Sequence, residues 1–151
     1  MIFTSLPFKR FLAALVIIAG GVFLRRYGLS LKIPAFDVKY GGSLLWAAMI
    51  YFIVALLLRS RPQRQVLAIA ALVCALVEVS KLTHTPAIDV FRLTPVGAWL
   101  LGRVFSGWNF LAYGVGLALT LGLDSLIARP WTFRKPGTFS KPAAKSRGRR
   151  R

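Results

Sequence analysis

The sequence predicts an all-α polytopic membrane protein with four transmembrane helices, a short re-entrant or interfacial helix between the third and fourth, and a disordered basic C-terminal tail. Three observations support this fold class. Hydrophobic residues make up 56% of the 151 residues and lie in long runs. The 21 Lys and Arg residues cluster at the ends of those runs and in the tail, and only four residues are acidic. This composition excludes an ordinary soluble domain.

The four apolar runs are each predicted to form a transmembrane helix. The first is short for a span, which needs about 20 apolar residues. We therefore extend it back to Pro7, with Lys9 and Arg10 snorkelling to the membrane surface. The rest of the chain is itself membrane-spanning, so this segment is expected to be an uncleaved helix and not a signal peptide. The four runs are residues 11–24, 41–58, 66–82 and 104–127.

A shorter apolar segment, residues 93–101, lies between the third and fourth spans. It is too short to cross a bilayer and too apolar for a free loop. We therefore predict a re-entrant or interfacial helix, with Pro95 in its first turn.

The chain divides into a four-helix integral membrane domain, residues 1–128, and a basic tail, residues 129–151. The tail holds nine Lys or Arg residues and no acid, and it has too few large apolar residues to form a core. It is therefore predicted to be disordered and to contact anionic lipid headgroups.

The distribution of Lys and Arg predicts the orientation in the membrane. If the N-terminus is cytoplasmic and four spans alternate, 14 of the 21 basic residues lie on the cytoplasmic side. Positively charged segments are retained in the cytoplasm. We therefore expect both termini to be cytoplasmic.

Charged residues are concentrated at the end of the third apolar run and directly after it. Glu78 lies inside an otherwise apolar helix, where a charge is costly and marks a site. Lys81 follows three residues later and is expected to pair with it, and Asp89 and Arg92 repeat this spacing. In the fourth span, Asn109 lies one helical turn before a tyrosine, so the two share a face.

We expect these residues to meet other bases at the outer membrane face. The cluster has two interpretations that remain open: structural ion pairs that tie loops over the bundle, or a ligand site. A metal site at His84 with a nearby carboxylate is only weakly indicated, and no metal or cofactor is expected. Asp124 is interpreted as a structural partner of Arg129. The candidate ligand-binding residues are Arg25, Glu78, Lys81, Asp89, Arg92, Arg103, Asn109 and Tyr113.

Small residues recur in the fourth span at a spacing of four. Gly114, Ala118 and Gly122 form such a series, and Gly116 lies on the face of Asn109. Small residues at this spacing let transmembrane helices approach closely. We therefore predict close helix packing at these positions.

The chain contains the motifs Lys39-Tyr40-Gly41-Gly42, Glu78-x-x-Lys81, Asp89-x-x-Arg92 and Asn109-x-x-x-Tyr113. Together they resemble those of an uncharacterised family of small bacterial membrane proteins, domain of unknown function 2809, and are similar to VanZ-like proteins associated with glycopeptide resistance. The chain departs from the family pattern at Ser43, Lys81 and Asn109, where an acid, a glutamine and an aspartate are expected. The resemblance implies a bacterial inner-membrane protein with no established reaction.

Three functional hypotheses remain. The first is a binding protein whose outer cavity holds an anionic lipid headgroup or a cell-envelope precursor. The second is a membrane enzyme with Glu78 as general base; enzymatic activity is left open, with binding favoured. The third is a structural subunit of a larger complex. The expected partners are the lipid bilayer and a second copy in a homo-oligomer, and nucleic acid is not expected.

Overall fold

The computed structural model describes residues 5–128, and every regular element in that part of the chain is an α-helix. The predicted disordered tail lies outside the described residues. The helices are α1 (Leu6–Tyr27), α2 (Ala35–Leu57), α3 (Gln63–Ser80), α4 (Pro86–Leu93), α5 (Pro95–Leu100) and α6 (Gly107–Ala128).

Helices α1, α2, α3 and α6 are each long and apolar enough to cross a membrane, which confirms the predicted four spans. Large apolar side chains such as Leu57, Leu72 and Leu119 are exposed on the outside of the bundle. A surface of this kind is stable in hydrocarbon, where helices satisfy their own backbone hydrogen bonds. The protein is a multi-pass membrane protein.

Prolines mark the starts of the helices. Pro34 and Pro62 immediately precede α2 and α3, and Pro7 lies in the first turn of α1. Proline is tolerated there because the first backbone N–H groups of a helix have no intrahelical partner. The start of α1 at Leu6 agrees with the extension of the first span back to Pro7.

Helix α2 lies at the centre of the bundle, in contact with α1, α3 and α6. Helices α2 and α6 approach closely because Gly116 has no side chain: a Cβ atom there would lie 2.6 Å from the carbonyl oxygen of Leu44. The prediction of close packing is wrong for the other small residues within the described chain. Gly114, Ala118 and Gly122 are exposed, since their side of α6 faces away from the neighbouring helices.

The predicted short helix is present as α5, and α4 directly precedes it. The two helices meet at Thr94, which is extended because it precedes Pro95. The Thr94 hydroxyl donates to the carbonyl of Phe91 at 2.7 Å and accepts from the backbone N–H of Gly97 at 3.0 Å. A Cβ atom at Gly97 would collide with the Phe91 carbonyl, so only glycine allows this turn.

Arg10 does not snorkel, contrary to the prediction, and lies inside the bundle with 6% exposure. Its Nε and Nη2 atoms each lie 2.7 Å from an oxygen of the buried Asp124 carboxylate. Tyr51 and Gln63 donate to the same carboxylate at 3.1 and 2.9 Å. Asp124 thus joins all four spans at one end of the bundle. Its predicted partner, Arg129, lies outside the described residues.

Candidate functional site

Glu78 is fully buried at the opposite end of the bundle from Asp124. It accepts hydrogen bonds from Lys81 Nζ at 2.5 Å, Tyr113 Oη at 2.8 Å and the Ser106 backbone N–H at 2.8 Å. The amide Nδ2 of Asn109 lies 3.1 Å from both carboxylate oxygens. We call these five residues the Glu78 cluster. The predicted pairing of Glu78 with Lys81 is confirmed.

Helix geometry explains why these groups meet. Lys81 follows Glu78 by three residues at the end of α3, and Asn109 and Tyr113 are one turn apart on α6. Ser43 of α2 donates to Asn109 Oδ1 at 3.1 Å, which leaves the amide nitrogen to face Glu78. The three positions that depart from the family pattern, Ser43, Lys81 and Asn109, therefore belong to one hydrogen-bond network.

The carboxylate of Glu78 is saturated with donors. A carboxylate offers about four lone-pair sites, and four protein groups already donate to it. Glu78 therefore holds the side chains of Lys81, Asn109 and Tyr113 in place.

A cavity of 560 Å³ borders the Glu78 cluster. Lys81, Asn109 and Tyr113 form part of its wall, and α5 with the segment 101–104 forms another part. In the described chain, α5 makes no close backbone contact with the four spans, so the space between it and the bundle stays open. Four cationic side chains line this cavity: Arg25, Lys39, Lys81 and Arg103.

Three of these four cations have no carboxylate within ion-pair distance among the described residues, and Lys81 pairs with Glu78. Arg103 is held by the backbone carbonyls of Arg92 and Leu93, at 3.2 and 3.3 Å. The cavity therefore presents uncompensated positive charge, which favours an anion.

The predicted residues Asp89 and Arg92 pair as expected, but they lie outside this cavity. Arg92 is 3% exposed and donates to the carbonyls of Ser80 at 2.5 Å and Thr83 at 2.9 Å, and to Asp89 at 3.3 Å. These contacts fasten α4 to the end of α3. His84 is exposed, with Nδ1 3.4 Å from Asp89 Oδ1. In the described part of the chain, no three His, Cys, Asp or Glu residues are grouped as metal ligands.

Comparison with known families places the chain in one of them. Residues 33–117 match the family described as "Protein of unknown function (DUF2809)". The chain belongs to this family. The DUF2809 segment contains the whole Glu78 cluster and three of the four cavity cations, while Arg25, Arg10 and Asp124 lie outside it. No solved structure matches the chain, and the resemblance to VanZ-like proteins stays a prediction.

The candidate residues predicted from the sequence do not include several residues that line the cavity of this DUF2809 protein. Lys39, Ser43 and Trp46 line the cavity from α2. Their spacing of four and then three residues puts them on one face of a helix, so helical periodicity was a usable signal. Trp99 of α5 carried no such signal, because its place in the wall depends on the turn at Thr94.

Proposed function

We propose that this membrane protein binds an anionic, phosphate-class group in the 560 Å³ cavity, either the headgroup of a lipid or that of a cell-envelope precursor. The observation that carries the proposal is a set of three cations, Arg25, Lys39 and Arg103, that have no carboxylate partner within residues 5–128. Arg and Lys bind phosphate through charge-assisted hydrogen bonds.

The polar groups of the wall supply directional contacts beside this charge. Lys81 has three N–H donors and gives one to Glu78, so two remain for a ligand. The guanidinium of Arg103 has five donors, of which two contact backbone carbonyls. Tyr113 donates to Glu78 and keeps its oxygen as an acceptor. Glu78 is a positioning residue in this proposal.

The proposal extends to the location of the site. We place the protein in a bacterial inner membrane with both termini cytoplasmic, so that the end of the bundle containing Glu78 faces outward. The charge distribution along the chain supports this orientation. Self-association into a homo-oligomer stays a prediction.

The alternative of an enzyme with Glu78 as general base also stays a prediction. Its support is the burial of a carboxylate beside a cavity. A general base needs a lone pair within hydrogen-bond reach of the proton that it removes. The four donors around Glu78 occupy those positions, so the contacts favour binding.

The binding proposal is tested with two double variants of equal charge. Arg25→Gln/Lys39→Gln removes two cavity cations, while Arg26→Gln/Lys32→Gln removes two exposed neighbours that do not line the cavity. Protein purified in uncharged detergent is incubated with dioleoyl phosphatidic acid or glycerol 3-phosphate. Binding is measured by native mass spectrometry and by titration.

We expect the cavity double variant to lower the affinity for both probes by about a hundredfold, since one charge-assisted contact contributes about tenfold or more. The control double variant should bind as the unmodified protein does. Equal losses in the two variants would indicate general surface attraction and overturn the proposal. The absence of binding to either probe in the unmodified protein would also overturn it.

A further inference from the structure

A second, apolar recess adjoins the basic cavity. It is a groove of 140 Å³ between α1 and α2, next to α5. Ile17 and Val22 line it from α1, and Leu45 and Met49 line it from α2. Arg25 and Trp46 belong to the walls of both spaces, together with two residues of α5. The groove and the cavity therefore lie side by side.

We propose that the ligand is an anionic lipid whose acyl chain lies in this groove while its phosphate lies in the basic cavity. This inference rests on the proposed function and specifies the ligand class. A soluble anion would use the cavity alone and leave the groove empty.

The direction of the groove matches the polarity of a lipid. Arg25 lies at the junction with the cavity, and Ile17 precedes it by two helical turns, about 12 Å along the axis of α1. The groove thus extends from a cationic mouth into the apolar part of the span. Ile18 and Val22 in its wall are each 39% exposed, so the groove is open toward the side of the bundle. A lipid would enter laterally from the bilayer.

Trp46 lies at the junction of headgroup and chain. Its ring contacts Tyr113 with centroids 5.6 Å apart. Its Nε1–H is buried and has no hydrogen-bond partner among the described residues. An indole nitrogen is only a donor, and a buried donor without an acceptor is unfavourable. The nitrogen itself is closed off from the cavity, so Trp46 offers a ligand its aromatic surface and not this donor.

Adjacent glycines on α1 provide a matched pair of variants. Gly21 lines the groove, and a Cβ atom there would lie at ordinary contact distance, 3.7 Å, from Leu45. A Cβ atom on Gly20 would meet no atom of residues 5–128 within 4 Å, and Gly20 does not line the groove. Gly21→Leu therefore fills the groove, while Gly20→Leu adds the same side chain outside it. Met49→Trp fills the groove from the opposite wall.

The experiment measures dioleoyl phosphatidic acid and glycerol 3-phosphate on each variant, with thermal unfolding as the check on folding. We expect Gly21→Leu and Met49→Trp to lower lipid affinity by about tenfold and to leave glycerol 3-phosphate binding unchanged. Gly20→Leu should change neither. On the unmodified protein, dioleoyl phosphatidic acid should bind about tenfold more tightly than the dihexanoyl form.

The outcomes separate the two proposals. If the short- and long-chain lipids bind equally, or if the folded groove variants keep full lipid affinity, the chain does not occupy the groove and this inference is overturned. The proposed function then still stands, provided that Arg25→Gln/Lys39→Gln weakens both probes. If that double variant changes nothing, both proposals fail. The comparison of chain lengths requires no variant and so decides the matter even if the substituted proteins do not fold.

Discussion

Each of the two buried acids is surrounded by hydrogen-bond donors, some of them from other helices. Asp124 receives the guanidinium of Arg10 and two neutral donors, and Glu78 receives Lys81 with three more groups. A charge inside a membrane helix is tolerated only when it faces the bundle interior and is paired. Both acids meet that condition, so these two acids hold helices together.

At the residue scale we expect Asp124→Ala to destabilise the protein by about 3–5 kcal/mol, because it leaves Arg10 buried without its partner. The double variant Arg10→Met/Asp124→Leu should recover much of this loss, since it removes both charges. Unfolding in mixed micelles, followed by circular dichroism, measures the free energies. Equal losses for the single and double variants would contradict the role of the ion pair.

Glu78→Gln gives a second prediction at this scale. It leaves Lys81 in the bundle without its carboxylate, so the melting temperature should fall. Phosphate-class binding should persist at reduced affinity, because the cavity gains net positive charge while Lys81, Asn109 and Tyr113 lose the carboxylate that positions them. Asp37→Asn is the control, since this acid is exposed and has no ion pair in the described part of the chain. Complete loss of the cellular function, at normal protein level and melting temperature, would instead support Glu78 as a general base.

At the scale of elements, the unit formed by α4 and α5 builds one wall of the cavity. Arg92 fastens this unit to the end of α3, and Thr94 fixes the angle between the two short helices. The unit has few contacts with the spans, and such regions open at low free-energy cost. The shape of the cavity therefore depends on the turn at Thr94.

We expect Gly97→Ala to disturb this turn, since the added Cβ atom would collide with the carbonyl of Phe91. Affinity for dioleoyl phosphatidic acid should fall about tenfold or more, while the helical content of the spans is retained. Gly114→Ala, at an open position on α6, should leave binding unchanged. Binding titrations and circular dichroism on the two variants check this prediction. Unchanged binding in Gly97→Ala would mean that α5 does not shape the site.

At the scale of the whole molecule, the bundle has a buried acid–base centre near each end. The centre at Asp124 joins α1, α2, α3 and α6, and the centre at Glu78 joins α3 with α6 and, through Asn109 and Ser43, with α2. The base-rich cavity lies at the Glu78 end. The two ends of the bundle thus differ, and the orientation of the protein in the membrane decides which compartment the cavity faces.

Orientation can be measured with introduced cysteines, because the natural Cys74 is 1% exposed and should give little background. We expect His84→Cys to react with an impermeant maleimide in spheroplasts, and Arg61→Cys to react only after the membrane is opened. The physical reason is the excess of Lys and Arg at the predicted cytoplasmic side. The reverse labelling pattern would place the cavity in the cytoplasm.

Local features of the sequence predicted the residues that depend on helical spacing. The pairs Glu78 with Lys81 and Asp89 with Arg92 follow from a separation of three residues on a helix. The shared face of Asn109 and Tyr113 follows from a separation of four. The burial of Arg10 did not follow, because its partner is 114 positions away and the pair exists only when α1 meets α6.

By itself, the amino-acid sequence determined four membrane helices and the short helix after the third span, because apolar run length and proline position act locally. It also determined that Glu78 marks a polar site. Only the tertiary structure decided which cations share a cavity. It also decided that Arg92 joins α4 to the end of α3 and that Arg10 is buried inside the bundle. These outcomes depend on how helices distant in sequence pack, since only packing brings the cations of α1, α2 and the segment after α5 around one space.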